Sequence, residues 1–223
     1  MSIGEKMLEV IALNAEDARL AEAGGAHQIE LVGTMDKDGL SPSPETVREV
    51  LSSVTIPVYA MLRLQDGFET TEDEIRELKQ LRKQYQDLAV AGVVVGFLDP
   101  NGDIDAEALT EILGPDPIDY TFHRAIDFAA ENAWDTLMEL HPARVLTAGS
   151  PKGVGEGLET LIAKAAKNAD RILAGGGLRE EHIPDLKAAG IKNFHIGTAA
   201  RVDKSFDNPI DPDAVARWVQ LTS

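Results

Sequence analysis

Eight short apolar runs, each followed by a segment of helical character, constrain this chain more than any other feature. They are "MLEVIAL" (7–13), "HQIELV" (27–32), "PVYAMLR" (57–63), "AGVVVGFL" (91–98), "IDYTFHR" (118–124), "ARVLTAG" (143–149), "RILAGG" (171–176) and "NFHIG" (193–197). Their starts lie about 20 to 34 residues apart, which is room for one strand and one returning helix. Nearly continuous apolar character is what strands covered on both faces require.

The intervening segments carry helix signals. "NAEDARLAEAG" (14–24) opens on Asn14 as N-cap and closes at Gly24. "SPETVREVLSSV" (43–54) is followed by "TTEDEIRELKQLRKQYQ" (70–86), with acid early and base late as the helix dipole favours. "DAEALTEILG" (105–114), "NAWDTLMELH" (132–141) and "GLETLIAKAAK" (157–167) continue the pattern. "REEHIPDLKAAG" (179–190), interrupted by Pro184, and "DPDAVARWVQL" (211–221) complete it. Eight strand–helix units in 223 residues predict a (β/α)8 TIM barrel forming a single domain over 1–223. A doubly wound open sheet is the runner-up.

Composition narrows the function. A formal net charge of −17 repels polyanions and anionic membrane surfaces, so no nucleic acid and no membrane is expected as partner. No apolar run approaches the roughly 18–20 residues of a spanning helix. "MSIGEKMLEV" has no signal-peptide core, and with zero cysteines the chain reads as cytoplasmic. The same zero excludes every thiolate metal site.

Strand parity then sorts the polar residues. With Leu8, Val10, Ile29 and Leu31 facing the helices, Glu9 and Glu30 turn inward. The same alternation turns Tyr59, Met61 and Arg63, then Thr121 and His123, then His195, into the interior. Burying such charges unpaired costs several kcal/mol, so Glu30 is expected beside Arg63 and Glu9 beside His195. One outcome is a polar core that satisfies itself. The other is a site at the C-terminal strand ends, where barrels place their chemistry. There Glu30 or His123 would be the general base, and Arg63 and Arg124 would stabilise developing negative charge. Strand parity sends Arg124 outward, but a turn at the strand end brings it over the opening, and Asp127 can orient either His123 or Arg124.

"LAGGGL" (173–178) and "HIGTAAR" (195–201) follow strands 7 and 8, the loops that often seat a phosphate in barrels. Gly175, Gly176, Gly177, Gly197 and Thr198 are candidate backbone donors, with Arg201 as counter-charge.

At these residues the chain resembles the CutC family of copper homeostasis proteins. The likeness runs from "LEVIALNAEDARLAEAGGAHQIEL" through "DGLSPSPETV", "IPVYAMLR" and "GVVVGFLDPNGDID". It continues in "TFHRAID", "ARVLTAGS", "AGGGLREEHI" and "FHIGTAAR". The resemblance implies a cytoplasmic barrel, a homo-oligomer with a dimer plausible, and a part in copper handling. It implies that Glu9, Glu30, Arg63, His123, Arg124 and His195 line the pocket as ligand-binding residues, and it makes copper the one cofactor to consider. His123 and His195 are then the candidate metal ligands. Two departures stand out. Many relatives carry cysteines after the first two glutamates, where this chain has Ile11, Ala12 and Val32. Many continue strand 3 as Arg-Pro-Arg before a glycine, where this chain has "RLQDG" with Gln65 at the second basic position. Cu(I) prefers thiolate or thioether ligands, and Met61 alone faces inward. The chemistry therefore ranks a small anionic or phosphorylated metabolite above a metal ion.

Overall fold

Parallel pairing demands a crossover after every strand, and the chain supplies a helix at each one. The computed structural model describes residues 6–116 and 118–223, so the part of the N-terminal reading that rests on residues 1–5 lies outside it. The strands are β1 (Met7–Ala12), β2 (Gln28–Leu31), β3 (Val58–Met61), β4 (Gly92–Val95), β5 (Asp119–Phe122), β6 (Arg144–Thr147), β7 (Ile172–Ala174) and β8 (Asn193–Ile196). They pair in parallel in sequence order, and β1 meets β8 from Met7↔Asn193 to Val10↔Ile196, closing the barrel. The expected (β/α)8 barrel is the observed fold, and closure removes the open-sheet alternative.

The helices are α1 (Ala15–Ala23), α2 (Pro44–Leu51), α3 (Glu72–Asp87), α4 (Ala106–Leu113), α5 (Ala133–Glu139), α6 (Val154–Asn168), α7 (Ile183–Ala188) and α8 (Pro212–Thr222). Asn14 caps α1 by accepting the Asp17 N–H at 3.0 Å, and Thr71 with Glu74 forms a capping box on α3. Pro184 shortens the seventh helix from the expected 179–190. Glu180–His182 form a 3-10 turn, and Pro184 sits in the first turn of α7, where its missing N–H needs no partner.

Alternation places the core where parity predicted. Leu8, Val10, Ile29, Leu31, Phe122 and Phe194 belong to the large apolar cluster between strands and helices. Ile11, Tyr59, Met61 and Val94 form a separate cluster inside the cylinder. The strands are shorter than the apolar runs because the last residues of each run leave the ladder to build the mouth. Arg63 and His123 both lie just past the ends of β3 and β5.

Arg201 departs from its expected role. The chain passes through a 3-10 turn at Thr198–Ala200 that carries Arg201 beyond the rim and toward α1. Its guanidinium is buried, with Nη2 at 2.5 Å from Asp17 Oδ2 and Nη1 donating to the Asn208 carbonyl at 2.8 Å. It is a structural ion pair and not a counter-charge for a ligand. Since Asp17 also accepts the Leu13 N–H at 3.0 Å, the pair ties the exit of β1 to α1 and to the loop after β8. Asp17→Ala would leave a buried guanidinium uncompensated. Denaturant unfolding should show a loss of about 3–5 kcal/mol, and a loss below about 1 kcal/mol would mean that solvent already screens the pair.

Candidate active site at the mouth of the barrel

The closure seam organises the buried polar residues. Register sets Glu9 opposite His195 on one side and opposite Gln28 on the other. Glu9, fully buried, uses one oxygen to accept from Gln28 Nε2 at 2.5 Å and the other to meet His195 Nδ1 at 2.7 Å. The expected Glu9–His195 pair is therefore present. The Nε2 face of the same ring lies 3.7 Å from Glu30 Oε2.

Glu30 does not meet Arg63. Register aligns Glu30 with Tyr59, and Arg63 lies four residues further along the strand direction, about 13 Å at the usual rise. Parity gave the shared face but not the height. Glu30 is left with a buried Oε1 that has no partner among the described residues. Burial raises its carboxyl to about 7, against the opposing pull of His195 and with the help of the Glu9 charge. Burial alone would lower His195, but the Glu30 charge and the Glu9 hydrogen bond more than offset it, so this imidazole is held above its ordinary value.

His123 is the opposite case. Burial, then the Arg63 charge, push it down to about 3, so it is neutral. Its Nδ1 accepts the Ala125 N–H at 3.2 Å, which fixes the proton on Nε2. That Nε2 is buried and without a partner among the described residues. His123 therefore presents a neutral donor at Nε2, while Glu30 is the carboxyl raised toward neutrality.

The two candidate arginines differ in use. Arg63 donates through Nε to the Gly67 carbonyl at 3.1 Å and through Nη1 to the Lys37 and Gly39 carbonyls, with Gly39 at 3.0 Å. It clamps the loops after β2 and β3 together. Arg124 does swing over the opening, as expected, held by Nε to Asp127 Oδ2 at 2.9 Å. Asp127 is itself fixed by Thr147 Oγ1 at 2.6 Å and by the Ala148 and Gly149 N–H groups at 2.9 and 3.1 Å. Arg124 remains 31% exposed.

The glycine loops divide as well. Gly175 continues the ladder, its N–H bonded to the Thr147 carbonyl at 3.1 Å and its Cα packed on His195, so it is not a free donor. Gly176 and Gly177 adopt φ of +85° and +71°. A Cβ on Gly176 would come within 2.7 Å of Arg124 Nε, so only glycine lets the guanidinium lie across the loop. No acceptor among the described residues takes the N–H of Gly176, Gly177, Thr198 or Ala199.

These groups border one cavity of about 460 Å³, shared by Glu30, Arg63, His123, Arg124 and His195 with the loops after β7 and β8. Glu9 stands behind His195, and Arg201 lies outside. Sequence reasoning missed Gln28, although it shares the inward parity of Glu30 two residues away. It also missed Phe68, Phe128 and Met35, which border the cavity from loops whose course no periodicity reports. Phe68 stacks at 5.5 Å from His123 and 5.1 Å from Phe128, forming an apolar wall. Glu9, Glu30 and His195 each offer a ligand atom within 4.8 Å of the others. His123 is not in that group, although it borders the same cavity as His195.

The fold and site define a closed parallel barrel with an ionisable pocket at its C-terminal mouth. Comparison with known proteins is specific: residues 6–200 match the CutC family model. The chain belongs to the CutC family. A family protein CutC of Klebsiella pneumoniae is 34% identical over 93% of this chain and 89% of its own length. The crystal structure of CutC from Streptococcus agalactiae, provisionally named a copper homeostasis protein, is 25% identical with a TM-score of 0.77, covering 86% of this chain and 98% of that one. A phosphoribosylanthranilate isomerase of Thermotoga maritima, 14% identical with a TM-score of 0.64 over 97% of this chain and 98% of its own, shares the fold. No helix among the described residues is long and apolar enough to cross a membrane.

Glu30→Gln keeps the side-chain shape and removes the titration. Between its ordinary value of 4.5 and about 7, the folded chain holds a proton on Glu30 that the unfolded chain has released. Stability from this carboxyl therefore falls as pH rises through that window, and the raised His195 adds a loss of the same sign. Relative to the parent chain, the variant should gain about 1–3 kcal/mol between about pH 5 and about pH 8 in denaturant unfolding. A difference that does not change with pH would show that Glu30 titrates as an ordinary carboxyl.

Proposed function

We propose that the mouth is an active site for proton-transfer chemistry on a small anionic metabolite. The observation that carries this reading is Glu30, a buried carboxyl poised near neutrality with a partnerless oxygen, beside a cavity that also holds Arg124 and unpaired backbone amides. Arg124 and the N–H groups of Gly176, Gly177, Thr198 and Ala199 would take the anionic group, a phosphate by preference. His123 would donate through Nε2 to an oxygen on which charge develops, as a neutral electrophile. Glu30 would accept or return the proton, with His195 damping the change in charge. Phe68 and Phe128 would restrict water.

The copper role that the family name carries fits this donor set poorly. The chain has no cysteine, and the thioethers that border the cavity are Met35 and Met61, so a thiolate site for Cu(I) is absent. The Glu9, Glu30 and His195 group favours a second reading, a harder divalent ion such as Cu(II). Against it, both Glu9 oxygens and His195 Nδ1 are already engaged.

Arg124→Gln separates the readings. Calorimetric titration with inorganic phosphate should weaken by about 10-fold or more, equivalent to the roughly 1.5–3 kcal/mol of a charge-assisted hydrogen bond. Cu(II) titration of the parent chain should give no saturable binding. Unchanged phosphate affinity, or Cu(II) binding lost in His195→Ala, would replace the anion reading with the metal one.

A further inference from the structure

A second cavity, of about 820 Å³, opens at the other end of the barrel, among the residues that start the strands. This end of a barrel ordinarily serves stability alone. Here it is hollow because the positions around it are small: Ala91, Ala143, Ala169 and Gly190 leave space that larger side chains would close. The back wall is polar and buried. Gln28 and Asn193 are 1% and 5% exposed, and Tyr59 lies across Gly92, where a Cβ would come within 2.3 Å of its ring.

The charge of this cavity runs against that of the chain. Arg144, Lys167, Arg171 and Lys192 border it, opposed by Asp119 and Asp170, an excess of two positive charges in a protein of net −17. Arg171 is engaged, donating through Nη1 to the Pro142 carbonyl at 2.7 Å with Nε at 3.8 Å from Asp170. Among the described residues, Arg144, Lys167 and Lys192 have no carboxylate within 4.0 Å. Arg144 begins β6 facing inward and is half-buried, so its charge is held at the inner end of the cavity while the lysines stand at the rim. Burial raises the Tyr59 hydroxyl to about 12, which keeps it a proton donor. The volume lies within the range of small-molecule sites.

We infer that this floor cavity is a binding site for a compact polyanion, a molecule carrying two or more negative charges, separate from the mouth. Arg144 takes one anionic group at depth, and Lys167 and Lys192 take a second at the rim. The inference does not rest on the reading of the mouth, because no residue that borders the floor cavity borders the other.

The test uses pyrophosphate as probe, in an Arg124→Gln background so that the mouth contributes least. Titration calorimetry should show one saturable site, weakening as salt is raised. Adding Lys192→Gln, at an exposed position that leaves the fold intact, should weaken it about 5- to 10-fold, and Arg144→Gln should weaken it further. Circular dichroism of both variants checks folding, and the Lys192 variant carries the test alone if the Arg144 variant unfolds. No saturable binding, or binding that Lys192→Gln leaves unchanged, overturns the proposal. Binding in the parent chain that Arg124→Gln alone abolishes also overturns it, and assigns the anion to the mouth.

Discussion

A carboxyl group with no solvent contact needs compensating partners from the structure around it, and Glu9 is such a group. Its two partners come from the strands on either side, Gln28 from β2 and His195 from β8. The register that closes the barrel is thus the register that compensates the charge. A one-residue slip of β8 against β1 would turn His195 toward the helices and leave Glu9 bare. Hydrophobic burial drives the cylinder to form, and this pair specifies which cylinder forms. It also bears on Glu30, whose carboxyl burial raises, because once His195 is committed to Glu9 through Nδ1, Glu30 receives only the far side of the ring at 3.7 Å as a counterweight. That distance is too long for a hydrogen bond and short enough for attraction. The result is a carboxyl suspended between its two protonation states.

Three arginines that look alike in the sequence end in three different situations. Arg201 is buried against Asp17 and holds the fold together. Arg63 donates to loop carbonyls, and the exposed Asp66 carboxylate, 3.7 Å from its Nη2, offsets its charge only in part. That charge still acts at a distance, since it helps to keep His123 neutral. Arg124 is the one fixed by a buried carboxylate yet open to solvent on its outer side. Its Nη2 also donates to the Ser150 and Pro151 carbonyls at 3.2 and 3.1 Å, so the guanidinium is held in place and has little side-chain entropy left to lose if it takes a ligand.

What could be read from the sequence follows the reach of its periodicities. Period-two alternation told which face each strand residue occupies, and Glu9, Glu30, His123 and His195 all face inward as read. Adjacency around the barrel gave the Glu9–His195 pair because both lie mid-strand on neighbours. Alternation is silent about height along the axis, which depends on strand stagger, and so Glu30 was matched to an Arg63 that stands far above it. It is silent too about what happens once a strand ends. The 3-10 turn that takes Arg201 to α1, the ladder bond that occupies the Gly175 N–H and the loops that deliver Phe68 and Phe128 have no repeating signature. Gln28 differs, since its parity was visible and only its neutrality hid it. A search for charged groups passes over the amide that makes a buried charge tolerable.

The two inward imidazoles show how one cylinder gives opposite chemistry to the same side chain. His195 has a carboxylate on each nitrogen and is drawn toward the cation, while His123 has an arginine nearby, a backbone N–H on Nδ1 and no carboxylate, and is driven neutral. The first stores positive charge below the cavity, and the second offers a donor hydrogen without charge. A neutral donor can stabilise an oxyanion as it forms without holding the anionic ligand so tightly in the ground state that the reaction slows. In the proposed reading, Arg124 at the rim holds charge while Glu30, between its two protonation states, moves a proton. The proposed proton-transfer reading rests on that division between the groups that hold charge and the carboxyl that titrates.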